Sequence, residues 1–361
     1  MNYAVVHDDF MQFGGAERVS LCISEIFNAD IYSSIASDEN LLNIKDLKLS
    51  FFQKYNFIRK NFKKFFFIYP LAFESFNFDK YDIVISSSTR FAHGVITSPE
   101  TLHFCYMHSP SRYVWDYLEY TKDMNLGKFD KLLLPVFISY LRVWDYAASQ
   151  RVDFFIANSI YTQERIKKFY KRDSVVINPP VDIERFIKNK ALSGDYYLYV
   201  GRIVPWKRLD IVIKAFNENK KELYFVGEGD SKYIKKLKSI SKNNIKFFDK
   251  VNDKELPSFY QKCKAVIFPQ KEDFGIIPVE SLASGKPVIA YGKGGILDII
   301  KDKKTGILFK GQSVTSLNSA IDEFESLKFD SEYLKNESKR FSKDLFEKNI
   351  KLYIDSVWKK I

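Results

Sequence analysis

Two glutamates, Glu272 and Glu280, are separated by seven residues in the segment KEDFGIIPVE, and the residues between them could position an anion. The run Ala265–Pro269 reads as a strand, Gly275 as a tight turn, and Pro278 as the start of a helix, because proline has no N–H to leave unpaired at a first helical position. The leading backbone N–H groups of such a helix attract negative charge. Glu280, one turn in, can accept from two neighbouring hydroxyls, and Glu272 can reach a second polyhydroxyl group. A phosphate site with a carboxylate at each end has the shape of a sugar-nucleotide site. The alternative is a surface helix whose acidic first turn complements its dipole.

Other segments offer matching chemistry. In GRIVPWKR, Arg202 supplies a fork of donors and Lys207 a compact cation on a proline-stiffened loop, a pair suited to a diphosphate and to the charge on a departing phosphate. A solvated basic turn is the plain reading. Gly14-Gly15-Ala16-Glu17 precedes a helical pattern over 18–27, and paired glycines permit close approach of a ligand at a helix start. The spacing is not GxGxxG, so the dinucleotide fingerprint is absent, and a structural turn is equally consistent. Gly227-Glu228-Gly229 reads as a tight strand-to-helix turn, with or without a nucleotide beside it. His108, in HSPSR after the strand LHFCYM, could donate to a sugar hydroxyl or a phosphate, or shuttle a proton. No GxSxG elbow supports a triad with Ser109 and Asp116. His93 and His103 are expected in packing or surface roles. With no HExxH and no paired aspartate motif, no metal is expected.

These segments need elements to hold them. Apolar strands alternate with amphipathic helical patterns: YAVVH, YDIVISSS, LHFCYMHS, DFFIANS and SVVINPP, then YYLYVG, ELYFVG, IKFFD, KAVIFP and PVIAY. Continuous apolar strands alternating with helices predict parallel sheets covered on both faces, and two such series in 361 residues predict two doubly wound α/β domains. Asn178-Pro179-Pro180 marks the seam, since two prolines bar helix there. The domains are expected at 1–180 and 181–342, with a closing amphipathic helix within 343–361. Ligands of open α/β sheets bind at the carboxyl ends of strands, and the polar segments named above, with HDDFMQFGGAE, occupy those ends. Five of them are expected to face one cleft.

The net charge is +11, with acidic residues interspersed, which suits either a soluble basic protein or one drawn to an anionic membrane or phosphorylated acceptor. Cys22, Cys105 and Cys263 are too few and too widely spaced for a disulfide framework or zinc cluster, and read as buried thiols. MNYAVVHDDF lacks a basic region before an apolar core, so no secretory signal is expected, and no apolar run is long enough to span a bilayer. A cytoplasmic location is expected, with peripheral attachment to the inner face of the plasma membrane as an option. The segment 51–73, FFQKYNFIRKNFKKFFFIYPLAF, interleaves basic and aromatic residues over an expected helix. It fits an interfacial helix on anionic lipid as well as a surface helix with a core-facing aromatic stripe. Nucleic-acid binding is disfavoured, because no recognition motif accompanies the charge.

Taken together, these residues resemble the retaining glycosyltransferases of family 4, of the GT-B fold. The resemblance runs from the GGAE loop to the closing helix and is sharpest over EDFGIIPVESLASGKPVIAYGKGG. CYMHSPSRYVWD, YLYVGRIVPWKR and TGILFKGQS are similar to the bacterial mannosyltransferase branch that serves O-antigen and other surface polysaccharides. The resemblance implies that Arg202 and Lys207 hold the donor diphosphate, that Glu280 binds the ribose hydroxyls and that Glu272 binds sugar hydroxyls. It places the N–H groups of Phe274, Gly275 and Ile276 near the donor sugar and phosphates, Gly15 where the first domain closes on the diphosphate, and His108 beside the reacting carbon. It implies no metal or other cofactor, and a closing helix that crosses back to the first domain. Met107 and Ser109 depart from the pattern, on the acceptor side.

The activity so implied is transfer of a hexose, mannose from GDP-mannose, with retention, to a lipid-linked oligosaccharide or surface-polysaccharide acceptor. The leaving phosphate would help deprotonate the acceptor hydroxyl. Because backbone groups can recognise a base, UDP- and ADP-sugars are alternative donors. An epimerase, a phosphorylase with pyridoxal phosphate on a lysine, and a non-catalytic scaffold of polysaccharide assembly are the other readings.

Overall fold

The computed structural model describes residues 1–62, 65–117, 128–188, 192, 194–249 and 251–360. The chain divides into two compact units, residues 1–179 with 347–361, and residues 180–346.

The first unit is built on β1 (Tyr3–His7), β2 (Asp30–Ser33), β3 (Lys48–Leu49), β4 (Ile83–Ser88), β5 (Leu102–Met107), β6 (Phe154–Ala157) and β7 (Ser174–Val176). Among the described residues they form one parallel sheet in the order β3-β2-β1-β4-β5-β6-β7. The chain starts in the middle, winds outward to β3, then returns past β1 to β4. That reversal is the topological switch point of a doubly wound sheet. β4 is buried along its whole length, as a strand covered on both faces must be.

The second unit repeats the plan with β8 (Tyr196–Val200), β9 (Leu223–Val226), β10 (Ile245–Phe248), β11 (Cys263–Phe268), β12 (Val288–Tyr291) and β13 (Gly306–Phe309), in the order β10-β9-β8-β11-β12-β13. Alternation along the strands builds two cores. Tyr197, Tyr199, Ala265 and Ile267 point to one face, where Val212, Phe216, Leu317 and Ile321 cover them. Leu198, Val200, Val266 and Phe268 point to the other, against Val279, Leu282 and Leu334. Together the two units have the GT-B architecture of paired parallel-sheet, Rossmann-like domains.

Several sequence expectations need correction. β2, β3 and β13 were not foreseen as strands: all three are at most four residues long, Asp30-Ile31-Tyr32-Ser33 is polar at both ends, Lys48-Leu49 is too short to show a period, and Gly306-Ile307-Leu308-Phe309 sits between a charged turn and a polar loop. The helix after KEDFG begins at Ile276, so Pro278 is its third residue. Any position in the first turn spares the missing N–H. The helix after the paired glycines begins at Gly15 itself, because Glu17 folds back to accept from the Gly14 N–H at 2.9 Å. Residues 51–73 are not one helix. They form short pieces at Phe51–Lys54, Asn56–Lys60, Phe66–Ile68 and Tyr69–Glu74, and Phe52, Tyr69 and Phe73 face the core. Lys63 and Lys64 of that segment lie outside the described residues. All three cysteines are buried and free. The closing helix is Lys343–Trp358, and within the first unit its Tyr353 ring lies 6.1 Å from that of Phe104.

Candidate functional site

The switch point of the second unit lies between β8 and β11, and the loops leaving those two strands carry Lys207 and Glu272. Lys207 Nζ sits 3.0 Å from Glu272 Oε1, with the lysine side chain buried and the glutamate a quarter exposed. The buried Gln270 donates from Nε2 to the same oxygen at 3.2 Å. Trp206 lies under the ammonium, its ring 5.4 Å away. A cation and a carboxylate held side by side at a strand end can meet a phosphate and a hydroxyl respectively.

Glycines let these loops close on each other. Gly201 follows β8 at φ +133°, and a side chain there would meet Ile277 Cδ1 at 3.2 Å and Lys207 Nζ at 3.3 Å. Its loop therefore brings the lysine amine to the first turn of the Ile276–Ala283 helix, whose leading N–H groups have no intrahelical partner. Gly227 (φ +142°) ends β9 so close to the Gly201 carbonyl that a methyl group would overlap it. Tyr199 Oη donates to the Arg202 carbonyl at 2.9 Å, fixing the loop from below. The turn after β12 locks the acidic loop in turn: Gly295 N–H donates to the Glu272 carbonyl at 2.9 Å.

Glu280 is anchored within the same unit. Tyr260 Oη donates to its Oε2 at 2.7 Å, and Arg185 Nη2 lies 3.7 Å from its Oε1 while pairing with Asp253 at 3.1 Å. Of the expected residues, Lys207 and Glu272 are in contact. Phe274, Gly275 and Ile276 form the turn into the helix, Glu280 lies one turn on, and Arg202 is solvent-exposed at the strand end. Gln270, Tyr260 and Arg185 were missed. Each is distant in sequence from the charge it touches except Gln270, whose place two residues before Glu272 was the available signal.

Gly15 and His108 belong to the first unit, where His7 ends β1, Asp8 and Asp9 follow it, and Arg90 follows β4, again across the switch point. Asp8 is buried and accepts from the N–H groups of Thr89, Arg90, Phe91 and Ala92 and from the Thr89 hydroxyl. Burial pushes its carboxyl up, but Arg90, His7 and the backbone donors outweigh that and hold it below the usual carboxylate range. Arg90 also pairs with Asp9. None of this network was foreseen, because the sequence does not reveal that position 8 faces positions 89–92. His108 is buried. Its Nε2 lies 2.8 Å from Ser87 Oγ, while His7 donates from Nδ1 to the Ser87 carbonyl at 2.8 Å. Burial, aided by His7, pushes His108 down to about 3. Its imidazole is therefore neutral near pH 7, so it can exchange hydrogen bonds there but does not act as a cation. His93 and His103 are fully buried, paired with Asp145 and Ser86 respectively. Among the described residues no cluster of histidine, cysteine and carboxylate side chains could hold a metal.

Residues 180–342 match the family described as glycosyl transferases group 1. That match falls on the second unit. The chain is 30% identical over 227 residues to an uncharacterized glycosyltransferase of Methanocaldococcus jannaschii, covering 61% of this chain and 63% of that protein. It is 27% identical over 157 residues to an alpha-1,3/1,6-mannosyltransferase of Dictyostelium discoideum, covering 36% and 37%. The chain thus spans less than two thirds of the length of these curated relatives. In fold, it is similar to Anabaena HepE, solved in complex with UDP, with a TM-score of 0.72 and 16% identity over 99% of this chain and all of that one.

Proposed function

We propose that this chain is a retaining glycosyltransferase that moves a hexose, mannose from GDP-mannose in the first instance, from a nucleotide sugar to a lipid-linked or surface-polysaccharide acceptor. One observation carries the reading: within the residues that match the group 1 glycosyl transferases, the Lys207–Glu272 pair sits at the switch point beside the opening turn of the Ile276–Ala283 helix. In this reading Lys207 and Arg202 take the donor diphosphate, the N–H groups of Phe274, Gly275 and Ile276 lie along it, Glu272 accepts from sugar hydroxyls and Glu280 from the ribose. As the bond to the sugar breaks, charge grows on the departing phosphate. A fixed cation and oriented N–H groups stabilise that charge without reorganising. The freed phosphate then assists loss of the acceptor proton. Gly15 and the neutral His108 serve the diphosphate and the sugar, His108 as a hydrogen-bonding group. The similarity to a mannosyltransferase supports mannose. A second reading, a UDP-sugar donor, is favoured by the UDP complex of the fold relative. No metal or other cofactor enters the proposal. We place the enzyme on the cytoplasmic side of the membrane that carries its acceptor.

The first test is the melting temperature of the purified chain with GDP, UDP, ADP and their sugar conjugates, since a ligand of the folded state alone raises it. A selective rise with GDP and GDP-mannose supports the first reading, and one with UDP and a UDP-sugar the second. No rise with any of them overturns the donor site.

A further inference from the structure

The helix Lys128–Gln150 buries Ile138, Leu141, Asp145 and Ala148 on one side. Among the described residues its other side is apolar and uncovered. Val136 is 66% exposed, Tyr140 60% and Val143 70%, and Phe137 and Tyr146 are exposed as well. Positions 136, 137, 140, 143 and 146 share one helix face, the face that on a solvated helix carries charge. Between 134 and 147 the only Lys, Arg, Asp or Glu residues are Arg142, half-buried and donating to the Val114 carbonyl, and the buried Asp145.

The stripe continues onto a second element through aromatic rings. Phe137 lies 5.2 Å from Phe67, Phe67 6.4 Å from Phe65, and Phe65 5.4 Å from Phe57, which is 70% exposed. Phe57 stands on the short helix with Arg59 and Lys60, just after the exposed Lys54 and Tyr55, and residues 51–73 contain no carboxylate.

We propose that this composite surface seats the chain on an anionic bilayer, with the outer face of the Lys128–Gln150 helix at the boundary between headgroups and acyl chains. The valines and Phe57 supply the apolar part. The tyrosines suit the interface, where one end of the ring is wet. Lys54 and Lys60 reach lipid phosphates from its edge. Charge selects this occupant over a second copy of the chain. A symmetric dimer across the patch would set the same lysines against each other, whereas anionic lipid neutralises them. The sequence offered a helix over 51–73 either as such a contact or as a surface helix with a core-facing aromatic stripe. The structure breaks that segment and puts the larger apolar face on another element. This inference is independent of donor identity.

The test is co-sedimentation of the full chain with vesicles of phosphatidylcholine, with or without phosphatidylglycerol. The wild type should bind the mixed vesicles, and Val136→Asp with Val143→Asp should lower the partition at least tenfold. Lys54→Glu with Lys60→Glu should remove the dependence on phosphatidylglycerol. All four positions are exposed, and an unchanged melting temperature checks that each variant folds. The milder Val143→Ser, expected to give an intermediate loss, covers failure of the double variant. Absence of wild-type binding, variants that bind as the wild type does, or a lipid-free dimer dissolved by the valine variants would overturn the inference. Nucleotide-induced stabilisation of the same samples reads the donor site separately, so either proposal can fail alone.

Discussion

Removing Glu272 should tighten the binding of a bare nucleoside diphosphate even as it harms transfer. Lys207 is buried, and its ammonium sits 3.0 Å from the Glu272 carboxylate, so a diphosphate must compete for it. At an effective dielectric of about 20, charges that far apart attract by about 5–6 kcal/mol. Desolvation and the mobility of a partly exposed partner offset most of that, leaving about 1–3 kcal/mol of net coupling. A diphosphate that shares rather than displaces the glutamate recovers part of this when Glu272→Ala frees the amine. A gain of about 0.7–1.4 kcal/mol, or threefold to tenfold in Kd, is expected. Lys207→Ala should act in the opposite sense, weakening the diphosphate at least tenfold and leaving the unphosphorylated nucleoside unaffected. Titration calorimetry with GDP and UDP, and with guanosine and uridine as controls, measures all of these. Transfer assays should show both variants slowed, Glu272→Ala through lost sugar contacts. If Glu272→Ala binds the diphosphate no better than the wild type, or Lys207→Ala binds it as well, the ammonium is not a phosphate ligand and the competition described here does not exist.

Gly227→Ala puts a methyl group on the Gly201 carbonyl at a φ of +142° and should cost at least about 2 kcal/mol in urea unfolding. Gly311→Ala, which meets nothing nearer than 3.8 Å, should be close to neutral. Asp8→Asn turns an acceptor of five hydrogen bonds into a group that opposes some of them, and leaves Arg90 with Asp9 as its paired carboxylate. It should cost about 3–5 kcal/mol, read from the urea midpoint. His103 and His108 are both pushed down to about 3 by burial, with a neighbouring histidine adding to it in each case. Below pH 6.5 the unfolded chain takes up these protons while the folded chain does not until about pH 3. Stability from these two groups is thus complete above pH 6.5 and falls by about 1.4 kcal/mol per pH unit for each as the pH drops through that window. Replacing either by Asn should flatten the acid limb of the stability profile by one proton, and an unchanged slope would show that the imidazole was not buried neutral.

The site was most legible where its chemistry is local. The acidic loop, its turn glycine, the basic loop after β8 and the glycines after β9 all announce themselves within ten residues of sequence. Local signals also placed most strands of both sheets, because strands buried on both faces are continuous apolar runs. β2 and β3 escaped because an outer strand of four residues or fewer shows no period. The single helix over 51–73 failed for a different reason: with aromatic residues at nearly every turn, the pattern does not say which rings face inward. Phe52, Tyr69 and Phe73 went to the core, and Tyr55 and Phe57 stayed outside. The Asp8–Arg90 network and the Tyr260–Glu280–Arg185 cluster were illegible because they depend on which strand ends become neighbours. That information belongs to the sheet order, not to any stretch of chain.

The first unit is completed by residues that are made only after the second unit. Ile350 and Ile354 of the closing helix are buried, and Tyr353 lies against Phe104 of β5, yet residues 180–346 come between. On the ribosome, the first sheet must therefore wait, with an uncovered apolar face, while the whole second unit is synthesised. That interval is the one in which the nascent chain is most exposed to aggregation and most in need of a chaperone. A nonsense mutation in the closing helix would strike the half of the protein farthest from it in sequence, leaving residues 180–346 with their own core intact.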